Sequence, residues 1–104
     1  MDADDLSITE DLSDPEIYRL ILNGRITSVS SNNLGERLAE AHIGFSSIIL
    51  DMENVSFLTS SGVRILLMYF KKMKGKGGRF LIQNPSENVS NVLNMVALNE
   101  MLFE

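Results

Sequence analysis

The sequence predicts an α/β fold: one domain in which a small mixed central β-sheet is packed with helices. Short apolar runs of strand length alternate along the chain with stretches whose apolar residues recur at helical spacing. Ile48, Ile49 and Leu50 form a continuous apolar run, which suits a central strand covered on both faces. Thr59, Ser60 and Ser61 stand directly before the clearest helical pattern of the chain, and all three are good helix caps.

In chain order, residues 1–5 carry three acids and predict a frayed end within a single domain spanning residues 1–104. Leu6, Ile8 and Leu12 suggest a weak first strand, and Asp14-Pro15-Glu16 a turn. Ile17 to Leu22 reads as a strand ended by Asn23-Gly24. Leu34, Leu38 and Ala41 keep helical spacing, so a first helix is expected from about Ser31 to Ile43, with Gly44 to end it. It is weakened by Asn32, Asn33 and Gly35. The central strand follows from about Ser46 to Met52, then a short link. The second helix is expected from about Ser60 to Lys74, burying Val63, Leu66, Leu67, Phe70 and Met73. Gly75, Gly77 and Gly78 stop it. Arg79 to Gln83 is a further strand. Asn84-Pro85-Ser86 turns into a third helix, with Val89, Val92, Leu93 and Val96 as its buried face. Leu98, Met101, Leu102 and Phe103 are expected to add a last short strand or turn against the core.

Composition narrows the function. The chain has no cysteine, which removes disulfides, thiolate metal sites and a cysteine nucleophile. Its one histidine, His42, lies on the first helix with no serine or acid partner in sequence, and reads as a surface or edge residue. Asp51 and Glu53 stand one residue apart at a strand end, where a structural role outweighs acid/base chemistry. No catalytic constellation and no phosphate-binding loop is present, so no enzyme activity, cofactor or metal is expected. The net charge of −5 argues against nucleic-acid binding. No apolar run has the length of a membrane span, and the acidic start is unlike a secretory signal, so a cytoplasmic location is expected. No acid occurs between Glu53 and Glu87, while Arg64, Lys71, Lys72, Lys74, Lys76 and Arg79 crowd that interval. Lysines late in a helix first of all match its negative C-terminus.

The run Ser47-Ile-Ile-Leu-Asp-Met-Glu-Asn-Val-Ser-Phe-Leu-Thr-Ser-Ser-Gly-Val63 resembles the core motif of the STAS family, the sulfate transporter and anti-sigma factor antagonist domain. Lys76-Gly-Gly-Arg-Phe-Leu-Ile-Gln-Asn-Pro-Ser86 continues the resemblance, as do Val89, Val92, Leu93, Ala97-Leu98 and Leu102-Phe103. Upstream, Leu22-Asn-Gly-Arg-Ile-Thr27 looks like the family's Gly-Glu/Arg-Leu-Asp loop. The resemblance implies a bacterial regulatory module without catalysis of its own. It would bind an anti-sigma factor or related serine kinase in a partner-switching pathway and be released by serine phosphorylation. Ser60 matches the phosphoacceptor by position, with Ser61 as the alternative. The implied partner surface is Gly24, Arg25 and Thr27 together with Thr59, Ser60, Ser61, Gly62 and Arg64. A homodimer is compatible with it, and relatives commonly carry one further helix beyond the position of Phe103. The alternative is a non-phosphorylated accessory subunit of a transporter or signalling complex. Three departures stand out: Thr59 replaces the acid before the phosphorylated serine, Thr27 the acid of the upstream loop, and Ala97 a common glycine. Arg25 and Arg64 are familiar variants that make this face more basic.

Overall fold

The structure is a computed structural model that describes residues 5–96. Strand β1 (Leu6–Asp11) leads into β2 (Ile17–Ile26), α1 (Ser30–Gly44), β3 (Ser47–Leu58), α2 (Ser60–Gly75), β4 (Arg79–Gln83) and α3 (Glu87–Met95). The four strands lie in sequence order. β1 is antiparallel to β2, and β2, β3 and β4 are parallel, so the sheet is mixed, as the alternating pattern required.

Alternation along the parallel strands builds the core. Tyr18, Leu20 and Leu22 of β2 lie beside Ile48, Leu50 and Met52 of β3, and Phe80 and Ile82 of β4 continue the layer. Against them pack Leu34, Leu38 and Ala41 of α1, Leu66, Tyr69 and Met73 of α2, and Val89 and Leu93 of α3. All of these join one buried cluster. The intervening residues of the strands, Ile21, Ile49 and Leu81 among them, are only half-buried. Ile49 therefore lacks the full cover expected for a strand with helices on both faces.

That second face carries a polar row instead. Arg19 of β2 donates to Asp51 of β3 at 3.1 Å, to Asp11 of β1 at 3.3 Å and twice to Gln83 of β4, at 2.7 and 3.0 Å. One guanidinium thus ties all four strands together across the sheet. Asp51 also accepts from the Glu53 backbone N–H. It has a structural role, though within β3 and not at the strand end expected for it, since β3 runs on to Leu58. Asp11 is held below the ordinary carboxylate range, first by the Ser13 hydroxyl and backbone N–H and then by Arg19.

Several boundaries differ from the sequence reading, for physical reasons. β2 continues past Asn23-Gly24 to Ile26, and β3 past Met52 to Leu58. Their register shifts between Ile21 and Asn23 and again between Gly24 and Arg25. These bulges break the two-residue period, so Val55 and Leu58 are buried three residues apart and do not read as strand. Gly24 is the residue that permits this. It has φ +122°, and a Cβ there would stand 2.1 Å from the Asp5 carbonyl oxygen, which accepts from Arg25 N–H. In α2, Tyr69 joins Leu66 and Met73 in the deepest positions, while Val63, Leu67 and Phe70 are half-buried. Val96, expected on the buried face of the third helix, follows its last residue and is exposed. Leu98, Met101, Leu102 and Phe103 lie outside the described residues.

One core-edge group gives the fold a pH signature. The Tyr18 hydroxyl donates to Glu10 at 2.7 Å, and burial, with that carboxylate second, pushes its pKa up to about 12. A tyrosine in the unfolded chain titrates near ~10. Between these values the unfolded chain gives up a proton that the folded chain keeps. Stability is therefore intact below the lower value and falls as pH rises toward the upper one. Urea unfolding across this window should show that decline, and Tyr18→Phe should flatten it; parallel curves for the two proteins would contradict the assignment.

Candidate functional site

In a sheet with parallel strands, the strand C-termini and the N-termini of the following helices share one end, where sites commonly form. Here the ends of β2 and β3 are joined there to the starts of α1 and α2. Ile26 lies opposite Leu58 and Arg25 opposite Phe57. The Thr59 backbone N–H donates to the Ile26 carbonyl at 3.0 Å, and its hydroxyl donates to the same oxygen at 3.2 Å. The start of α2 is thus fixed to the end of β2. This brings the two candidate segments, Gly24–Thr27 and Thr59–Arg64, into one place.

The hydroxyls there divide the work. Thr59 is the N-cap of α2, and its side chain accepts from Gly62 N–H at 3.3 Å. Ser60 is the first helical residue and is exposed, and no hydrogen bond to another described residue holds its side chain. Ser61 is half-buried. Around the start of α1, Thr27 Oγ1 accepts from the backbone N–H groups of Val29 and Ser30 at 3.2 and 3.1 Å. Buried Ser30 accepts from Thr27 N–H and donates to the Arg25 carbonyl, both at 2.8 Å. Thr27, itself half-buried, therefore organises the loop into α1.

Gly62 is held by space. A Cβ at this position would meet Ile26 Cγ2 and Leu58 Cδ1, each at 2.7 Å. Both neighbours belong to the buried cluster. Gly62→Ala should cost about 1–3 kcal/mol through overpacking, read as a lower urea midpoint. An unchanged midpoint would show that the junction between strand end and helix start is looser than described.

Two apolar residues of this end carry no functional signal in the sequence. Phe57 is 42% exposed and Val29 56% exposed. The Arg25 guanidinium lies over the Phe57 ring, 4.9 Å from its centroid. Exposed apolar residues carry no mark in sequence, since an aromatic in a strand reads as core. Arg64 is exposed on α2, one turn after Ser60, and pairs with no acid among the described residues. Asp51 and Glu53 lie within β3, short of its end at Leu58, and Asp51 is engaged by Arg19. His42 is half-buried with its ring 5.4 Å from that of Tyr69, also away from the site.

The model of the STAS domain matches residues 11–103. The chain belongs to the STAS domain family. Solved structures agree on the fold. The unphosphorylated form of the anti-sigma factor antagonist SpoIIAA matches at TM-score 0.84 and 22% identity, over 93% of this chain and 86% of that one. The Bacillus cell fate determinant SpoIIAA in its phosphorylated form matches at 0.79 and 21%, over 93% and 89%. An anti-sigma factor antagonist from Mycobacterium paratuberculosis matches at 0.81 and 16%, over 94% and 85%. At these identities the likeness is one of fold. Within this STAS domain, no helix among the described residues is long and apolar enough to cross a membrane.

Proposed function

We propose that this STAS domain is a cytoplasmic regulatory module of the anti-sigma factor antagonist type. It docks on an anti-sigma factor or related serine kinase through Gly24–Thr27 and Thr59–Arg64, and phosphorylation of Ser60 releases it. The observation that carries this reading is the division of labour between Thr59 and Ser60. Thr59 caps α2, so the exposed Ser60 hydroxyl is left to chemistry without loss of the fold. The existence of a relative of the same fold in phosphorylated form supports it.

The physical basis of release is charge. Transfer of the γ-phosphoryl group of ATP to Ser60 Oγ, with loss of the hydroxyl proton and formation of ADP, adds roughly −1.5 to −2 charges at neutral pH. At the start of a helix that charge is favourable in the free domain. In a closed interface it is a strongly hydrated group that must be desolvated without a matched partner, at a cost of a few kcal/mol, or orders of magnitude in affinity.

Incubation with a candidate anti-sigma serine kinase and ATP, followed by mass spectrometry, tests the acceptor. One phosphate localised to Ser60 and lost in Ser60→Ala is the expected result. Phosphate on Ser61 in the unaltered protein would move the acceptor by one residue. Binding without incorporation would favour the accessory subunit.

A further inference from the structure

We propose that Arg64 is the internal counter-ion of a phosphate on Ser60, so that phosphorylation both adds a negative group and withdraws a positive one from the docking face. This deepens the reading given above and rests on it. Ser60 and Arg64 are four residues apart in α2, and side chains at that spacing share a helix face with their Cβ atoms roughly 5–6 Å apart. Both are exposed. Arg64 pairs with no acid among the described residues, so none of these competes for it. A phosphate and a guanidinium make charge-assisted, bidentate hydrogen bonds, and the acid-before-base order along the helix is the favoured one.

The other charges around this end leave the role to Arg64. Arg25, at the end of β2, is stacked on Phe57. Asp5 meets this end through its carbonyl, which accepts from Arg25 N–H. On α1, which packs beside α2 with Gly35 against Ile65, Glu36 and Arg37 follow Gly35 in sequence, and Arg37 is paired with Glu10. The segment from Ser56 to Arg64 contains no acid at all, since Thr59 stands where an acid would repel the phosphate.

In the unmodified protein the same arginine is available to a partner carboxylate. The modified protein would hold it against its own phosphate, and the docking face would lose its cation at the moment it gains an anion.

The test needs no partner. Phosphoserine is installed at position 60 by genetic encoding, in proteins carrying Arg64, Arg64→Gln or Arg64→Lys. The second ionisation of the phosphate is followed by phosphorus NMR, and melting is compared with and without the phosphate. The helix dipole acts equally in all three proteins, so differences report residue 64. With Arg64 the ionisation should fall about half a pH unit lower than in Arg64→Gln, with Arg64→Lys between them. The phosphate should also raise the melting temperature more with Arg64 than with Gln. Equal ionisation in the Arg64 and Arg64→Gln proteins, or equal melting shifts, would overturn the proposal. Because the phosphate is installed without a kinase, that failure is distinct from failure of the kinase to modify Ser60.

Discussion

Leu66→Ala is expected to cost about 2–5 kcal/mol of stability. Leu66 is fully buried on the helix face that meets the sheet, flanked along that face by Tyr69 and Met73. The loss has two parts: the transfer energy of the removed methyl groups, and the cavity that the surrounding side chains fail to close. The latter is substantial here, because α2 packs against α1, β3 and β4, and the two strands are fixed by sheet pairing. For a domain of this size the change corresponds to a fall in melting temperature of roughly 10–30 °C. Met68→Ala, at a position 38% exposed on the same helix, should change stability by less than ~0.5 kcal/mol. Similar melting of both variants would show that α2 does not present the described face to the core.

Ser60→Asp should weaken binding to the candidate anti-sigma kinase by about tenfold or more, while the melting temperature of the free domain stays nearly unchanged. The two halves of this expectation come from one place. An acid in the first turn of α2 meets the positive end of the helix and an exposed position, so the fold accepts it. The same acid in a closed interface must be stripped of water beside a partner shaped for a neutral hydroxyl. Aspartate carries less charge than phosphate and a different shape, so its effect is smaller than that of the modification. Ser60→Ala should bind like the unaltered protein and resist release. Because Thr59 supplies the cap, neither substitution removes a described hydrogen bond that holds the helix. Normal binding by Ser60→Asp together with no phosphate incorporation would favour the accessory-subunit reading.

Much of this architecture was legible in the sequence because its long elements keep their periods. The α2 pattern from Val63 to Met73 places Leu66 and Met73 correctly, and Ile48-Ile49-Leu50 marks the middle of the sheet. The ends of β2 and β3 were not legible. Their bulges and the positive φ of Gly24 replace alternation with a four-residue step from Leu22 to Ile26 in β2 and three-residue steps from Met52 to Leu58 in β3, so Asn23-Gly24 imitates a strand end. At the candidate site, the hydroxyl cluster before α2 was visible, but which hydroxyl caps and which is exposed depends on contacts with Ile26, 33 residues away from Thr59. Thr27 looked like a surface substitution and is in fact the organiser of the loop into α1. Phe57 and Val29 could not be singled out, since solvent exposure of an apolar side chain is a property of the folded chain alone.

The central claim is that one exposed serine at the start of α2 sits inside the docking face and controls it. Titration calorimetry of the unmodified and Ser60-phosphorylated domain against the same candidate anti-sigma kinase tests this most directly. The account predicts tight binding by the unmodified domain and a loss of at least about a hundredfold on phosphorylation, with both forms melting cooperatively. Equal affinity of the two forms would contradict it.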